Sequence, residues 1–203
     1  NILIPKDVYD RCEKKYTGLK KYFDVNIWII LFRYQLLGSN NHQLAVLPEN
    51  LDLMSKDFKL SFECFASSIN SISNHYCSIY YDVERFFGSK GNFFNLKPIS
   101  GTYSFNPPYQ SDIITNGINK LFTFLEKSKI NNKELNFIIT IPIWDIQGKI
   151  KMNDNNNIIN YGEFEIINKI KKSRYFKGLR MISKENFTYL DHNFKLYKYV
   201  SIQ

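Results

Sequence analysis

Gly101-Thr102-Tyr103-Ser104-Phe105-Asn106-Pro107-Pro108-Tyr109 runs from an apolar, strand-like pentapeptide straight into a tetrapeptide that cannot continue a strand. Two successive prolines fix φ near about −65° and donate no N–H, so pairing stops at Asn106 and the carbonyls that follow point outward instead of into a ladder. A strand that ends in a stiff loop is where an open α/β sheet presents its ligands, beyond the carboxyl ends of its strands. Asn-Pro also opens ordinary strand-end turns, and four residues alone do not separate the two readings.

Outward from this stretch, helix and strand signals alternate. Downstream, apolar residues Ile114, Ile118, Leu121 and Leu125 recur at helical spacing over Asp112 to Lys127, behind Ser111 or Asp112 as cap. Phe137 to Ile143 is a continuous apolar, β-branched run, which predicts a central strand buried on both faces. The asparagine-rich stretch Lys149 to Asn160 reads as a loop, Glu163 to Lys172 as a helix, Leu179 to Ser183 as extended and Phe194 to Ile202 as a last strand. Upstream, Leu60 to Phe65 predicts the first strand, followed by a helix from about Asn70 to Cys77 and a second strand from Ser78 to Tyr81. Helices over Lys6 to Tyr22 and Ile27 to Leu37, and a third starting at Leu47-Pro48-Glu49, precede them. The expectation is an α/β fold, Rossmann-like, with a mostly parallel central sheet, helices on both faces and an N-terminal helical extension: residues 1–58 form that extension and 59–203 the core.

Composition narrows the partners. At 203 residues the chain is most simply one globular domain with 44% hydrophobic residues, and 27 Lys and Arg against 19 Asp and Glu give a net charge of +8. That balance favours a polyanion, and 16% aromatic residues supply rings for stacking bases as well as for the core. Arg33, Lys90, Trp144 and Arg174, with the basic residues around Arg174, are the candidate nucleic-acid contacts; a solvated face and core packing of Trp144 are the plainer alternatives. Cys12, Cys64 and Cys77 lack metal-ligand spacing, and Cys64, His75 and Cys77 have no fourth ligand nearby, so no metal is expected. No segment is long and apolar enough to cross a bilayer and no targeting segment is visible; an odd cysteine count without a signal peptide suggests a reducing, intracellular compartment, and a first residue other than Met suggests a piece of a longer chain.

The tetrapeptide suits one demanding task. The lone pair of an adenine N6 is delocalised into the ring, so the amine is a weak nucleophile until its two N–H groups are gripped and the nitrogen bends toward sp³. The Asn106 side-chain carbonyl and the Pro107 backbone carbonyl each offer one acceptor, stabilising charge that exists only while the methyl moves. Pro108 stiffens the loop and Tyr109 offers a ring to stack on the base. A methyl donor needs its own pocket, and in Rossmann-like methyltransferases that pocket lies over the first strand-helix turn, with an acid after strand two on the ribose hydroxyls. Glu63, Phe65, Ala66, Ser67 and Asn70 fall at the turn, Asp82 or Glu84 at the second position, and Gly88 and Ser89 in the glycine-punctuated loop beyond. A strand flanked by small residues and solvated acids is the ordinary alternative.

Taken in order, Arg33-Tyr34-Gln35, Phe62-Glu63-Cys64-Phe65-Ala66-Ser67, Asn70, Tyr76-Cys77-Ser78, Asp82, Phe87-Gly88-Ser89-Lys90-Gly91, Pro98-Ile99-Ser100-Gly101, Asn106-Pro107-Pro108-Tyr109 and Phe137 to Pro142 with Trp144 resemble the catalytic domain of the phosphorylated CTD-interacting factor family, over roughly residues 25 to 200. The resemblance implies S-adenosyl-L-methionine as methyl donor, the cap-adjacent 2′-O-methyladenosine of mRNA as acceptor, and Asn106, Pro107 and Tyr109 as catalytic residues. It favours the nucleus over the cytoplasm. Adenine in DNA or internal RNA, and a noncatalytic RNA- or partner-binding role, are the alternatives. Two departures stand out: Tyr109 replaces the family's usual phenylalanine, and Ser68 stands where proline is usual after Ala-Ser. No WW domain is expected in this sequence, so polymerase-tail binding is not inferred, and a monomer is the simplest state.

Overall fold

A computed structural model describes residues 3–37, 45–98, 100–141, 151–152, 158–160, 164–180, 188–190 and 196–198. The element order is α1 (Lys6–Lys15), α2 (Phe23–Leu36), β1 (Ala45–Val46), α3 (Pro48–Phe58), β2 (Leu60–Glu63), β3 (His75–Tyr76), α4 (Tyr81–Glu84), β4 (Gly101–Phe105), α5 (Ser111–Ile130), β5 (Leu135–Ile139), β6 (Lys151–Met152), β7 (Ile158–Asn160), α6 (Phe164–Lys171), β8 (Thr188–Leu190) and β9 (Leu196–Lys198). Four strands form one parallel sheet in the order β3-β2-β4-β5. A small antiparallel sheet, β1-β8-β9, and the hairpin β6-β7 lie outside it.

The parallel sheet is held from one side by α5, whose Ile114, Ile118, Leu121 and Phe124 bury with Phe62 of β2, Phe105 of β4 and Leu135 of β5 in a single cluster. Gly117 makes the close approach possible: a β-carbon there would press on the Phe105 ring. That contact outweighs the roughly 1 kcal/mol by which glycine weakens a helix interior. Pro48 opens α3 at its first turn, where a missing N–H costs nothing, and Leu51 packs with Val46 and Leu60. The N-terminal helices build a second cluster with Ile69, Val83 and Phe87 around Phe23, Ile27 and Ile30.

Four expectations give way here. The first predicted helix stops at Lys15, because the Thr17 amide and hydroxyl both donate to the Phe86 carbonyl (2.8 and 3.1 Å), which pulls the chain off the helix axis before a short 3₁₀ turn at Lys20–Tyr22. No helix forms from Asn70 to Cys77: that stretch is a turn followed by β3. The second strand is therefore His75–Tyr76 and not Ser78 to Tyr81, and Tyr81 begins α4. The strand predicted over Phe137 to Ile143 as central and buried on both faces begins earlier, at Leu135, ends at Ile139, stands last in the sheet order among the described residues and is only partly buried beyond Leu135; residues 142–150, with Pro142 and Trp144, lie outside the described residues, as does Ile99.

Candidate functional site

β2 and β4 are hydrogen-bonded neighbours running in parallel, with Glu63 opposite Ser104. Both chains therefore leave the sheet at the same edge. The Cys64 amide still donates to the Ser104 carbonyl (2.8 Å), and the Thr140 amide donates to the Phe105 carbonyl (2.9 Å), so the pairing runs to the last residue before Asn106. Directly beyond, the Phe65 ring stands 5.4 Å from Phe105 and 4.7 Å from Phe93. This aromatic contact joins the loop after β2 to the strand that delivers Asn106-Pro107-Pro108-Tyr109.

The loop after β2 has little regular structure, yet its backbone groups are bonded one by one. The Ser67 amide donates to Asn70 Oδ1 (2.7 Å) and the Ser71 amide to the Ser67 carbonyl (2.9 Å), closing a turn. Glu63 Oε1 accepts from the amides of Ile72 (2.8 Å) and Ser73 (2.7 Å). Glu84 Oε1 accepts from the Ser68 amide (2.7 Å) and hydroxyl (3.1 Å), and its Oε2 from the Tyr34 hydroxyl (3.1 Å) and the Tyr80 amide (3.3 Å). The helix is missing because its own bonds go elsewhere: the Cys77 amide, which in a helix would donate to the Ser73 carbonyl, donates to the Glu63 carbonyl (2.9 Å) as the chain joins the sheet, and the Ser73 carbonyl accepts from Lys15 instead. The bonds to Glu84 also explain Ser68, since a proline at that position has no N–H for Glu84.

Helix α1 supplies the donors for the loop's carbonyls. Arg11 Nη2 donates to Ile69 O (3.2 Å), Cys12 Sγ to Ser68 O (3.2 Å), and Lys15 Nζ to Ser71 O (2.9 Å), Ser71 Oγ (3.1 Å) and Ser73 O (2.8 Å). Burial pushes the Lys15 ammonium down to about 8, against the pull of Glu63. Burial pushes the Glu63 and Glu84 carboxyls up, and the amides of Ser73, Ile72 and Ser68 work in the opposite direction.

In the tetrapeptide, Pro107 is buried, Asn106 half-buried and Tyr109 only 9% exposed. The Tyr109 hydroxyl donates to Asn106 Oδ1 (3.1 Å), the Gln110 amide donates to the Pro108 carbonyl (2.8 Å), and Ile114 bonds back to Gln110 as α5 starts. The hydroxyl that distinguishes this motif thus sits on the asparagine itself.

The remaining candidates fall into separate places. Asp82 and Arg33 bind each other, Arg33 Nη1 reaching both carboxylate oxygens at 2.8 Å, and the guanidinium lies 5.2 Å from the Tyr80 ring centre. Gly88 and Ser89 form a ribbon beside β3: Ser89 bridges to Tyr76, its hydroxyl meets Ser78 Oγ (2.7 Å), and the Lys90 amide donates to Tyr76 O (2.7 Å) while the Lys90 side chain is exposed. Arg174 bonds Glu126 Oε2 (2.5 Å) on α5, away from the sheet's carboxyl edge. Trp144 lies outside the described residues. Among the described residues no group of three His, Cys, Asp or Glu side chains could hold a metal, and no helix is long and apolar enough to cross a membrane. Sequence reasoning missed Arg11, Cys12 and Lys15, whose spacing reads as an ordinary helix face, and Tyr34.

Gly88 carries φ +102°, and a β-carbon there would overlap the Asn74 carbonyl oxygen. Gly88→Ala is expected to lower stability by about 3 kcal/mol, combining left-handed backbone strain with a clash against unyielding backbone, measured by urea unfolding.

A family model described as "Phosphorylated CTD interacting factor 1 WW domain" matches residues 6–192. The expected absence of a WW domain is at odds with that description and is withdrawn; the matched span takes in the whole parallel sheet. Two relatives, from Homo sapiens and Mus musculus and each named mRNA (2′-O-methyladenosine-N(6)-)-methyltransferase, are 32% identical to this chain over 124 residues. The match covers 58% of this chain and 17% of each relative, so the chain spans less than a fifth of the length of the curated relatives it matches.

Proposed function

The chain belongs to the phosphorylated CTD-interacting factor 1 family, and from that premise we propose that it carries the catalytic core of an RNA adenosine N6-methyltransferase with a Rossmann-like fold, acting on the adenosine beside an mRNA cap. The observation that carries the reading is the pairing of β2 with β4, which sets the Glu63–Asn70 loop and Asn106-Pro107-Pro108-Tyr109 side by side at one sheet edge.

The loop after β2 suits S-adenosyl-L-methionine: Ala66 and Ser67 are small enough for close backbone approach, and the turn is fixed by its own hydrogen bonds, with Ser68 anchored beneath it on Glu84. Bound there, this donor supplies an electrophilic methyl on a sulfonium sulfur. Asn106 Oδ1 and the Pro107 carbonyl accept the two N6 hydrogens of adenine, drawing the nitrogen lone pair out of conjugation and toward the methyl. Asn106 Oδ1 and the Pro107 carbonyl would hold the amine as it takes the methyl and becomes positive, and the acidified nitrogen would then shed a proton to solvent without a strong base. Tyr109 backs the adenine or holds the asparagine. Lys90 is a candidate phosphate contact, and Arg33 and Arg174 are so only after exchanging Asp82 and Glu126, Arg174 at a distance from the tetrapeptide.

Labelled methyl transfer onto capped RNA beginning with adenosine, set against uncapped RNA, internal adenosine and a DNA oligonucleotide, tests the proposal. Capped RNA is expected to take up label preferentially. Incorporation into DNA at an equal rate would move the reading to a general adenine methyltransferase, and no incorporation into any substrate would overturn it.

A further inference from the structure

We propose that helix α1 clamps the loop between β2 and β3 and that Lys15 is a positioning residue for the methyl donor, an inference that rests on the donor-site reading above. The loop's carbonyls at Ser68, Ile69, Ser71 and Ser73 all accept from Cys12, Arg11 and Lys15, which lie along one face of α1. Its amides at Ile72 and Ser73 donate to Glu63 at the end of β2. The peptide unit joining Ser71 to Ile72 is therefore strung between two opposite charges. Its carbonyl meets the Lys15 ammonium at 2.9 Å and its N–H meets the Glu63 carboxylate at 2.8 Å.

A peptide dipole held between a cation and an anion in a buried setting is fixed in direction, because rotating it breaks a charge-assisted bond at each end. Lys15 also spans Ser71 and Ser73, so one side chain sets two successive corners of the loop. Nothing local in the sequence of the loop does this: the partners are 56 and 58 residues away along the chain. The loop's shape, and with it the surface offered to the donor, is thus written partly in α1. Loss of the ammonium leaves two carbonyls and a buried carboxylate unbalanced, and the strand end and the turn at Ser67–Asn70 move with them.

The test compares the wild-type chain with Lys15→Met, Lys15→Gln and Lys15→Arg by hydrogen exchange over residues 64–77, by calorimetric titration with S-adenosylhomocysteine, and by the KM for capped RNA. Lys15→Met is expected to speed exchange at Ile72 and Ser73 and to weaken S-adenosylhomocysteine binding about tenfold, as for one lost charged hydrogen bond, with the RNA KM unchanged and Lys15→Arg recovering most of the loss. A helix that only adds global stability would not separate donor affinity from RNA KM. Wild-type exchange and wild-type affinity in Lys15→Met overturn the proposal. Should that variant fail to fold, Lys15→Gln decides in the same way, since it keeps an N–H donor and removes the charge. Faster loop exchange without any binding of S-adenosylhomocysteine by wild-type protein overturns the donor role and the methyltransferase reading together, and leaves α1 a clamp of the fold alone.

Discussion

Asn106→Ala is expected to lower kcat for methyl transfer by about a hundredfold to a thousandfold while leaving S-adenosylhomocysteine affinity at the wild-type level. The side-chain carbonyl accepts an amine hydrogen that becomes more acidic as the methyl arrives, so its contribution grows from ground state to transition state and falls mainly on kcat. Single-turnover transfer onto capped RNA, beside calorimetry of the same preparation, separates the two quantities. Tyr109→Phe is the informative companion, because it removes only the hydroxyl that donates to Asn106 Oδ1 at 3.1 Å. An amide oxygen has two lone pairs, and the hydroxyl occupies one of them while fixing which end of the amide faces it. The ring keeps its place, so the expected change in kcat is within about tenfold. Equal, severe losses in both variants would assign the asparagine a role in holding Tyr109 and not in gripping the amine; an Asn106→Ala chain that still transfers methyl at the wild-type rate would remove the tetrapeptide from the reaction.

Much of the frame was legible because its signals are local. The strands at Leu60–Glu63 and Gly101–Phe105 show in short stretches of alternating or aromatic residues, β5 shows in the apolar run from Phe137 although it begins two residues earlier, and α5 announces itself through Ile114, Ile118 and Leu121 at helical spacing. Order along the chain then placed two strand ends at one edge, and β2 does lie beside β4. The stretch from Ala66 to Glu84 was misread for the opposite reason. Its carbonyls are met by Arg11, Cys12 and Lys15, 56 to 58 residues upstream, and its Ser68 amide by Glu84, 16 residues on, so the bonds that set its shape are not written in local periodicity. The two acids after β3 show the same limit. Asp82 and Glu84 look alike in sequence, but two steps along the helical turn of α4 point them to opposite sides. Asp82 meets Arg33 at the surface, whereas Glu84 is fully buried under Ser68 and Tyr34. Ser68, a departure from the family pattern, makes sense only once Glu84 is seen beside it.

Glu84→Ala is accordingly expected to cost the fold about 4 kcal/mol, enough to unfold a domain of ordinary stability near its growth temperature. The carboxylate accepts from the Ser68 amide and hydroxyl, the Tyr34 hydroxyl and the Tyr80 amide, and truncation strands these donors around a cavity with no acceptor. Glu84→Gln keeps the volume but turns one oxygen into an NH₂ group; set at Oε2 it opposes the Tyr80 N–H, and set at Oε1 it opposes the Ser68 N–H, so a loss of about half that size is expected in either orientation. Proton linkage supplies a second signature. Burial raises the Glu84 carboxyl above its ordinary 4.5, so the folded chain holds this proton to higher pH than the unfolded chain does. Between the ordinary value and the raised one the folded state binds more protons, and stability from this group falls as pH rises through that window. Urea unfolding of wild-type and Glu84→Gln chains from pH 4 to pH 7 reads the difference: the wild type loses more stability than the variant on the alkaline side of 4.5, and a constant gap across the range would show that the group folds as a plain carboxylate. A Glu84→Ala chain that melts like wild type but fails to bind S-adenosylhomocysteine would reverse the assignment altogether, making Glu84 an acid that faces the donor and leaving the buried network around Ser68 without a structural role.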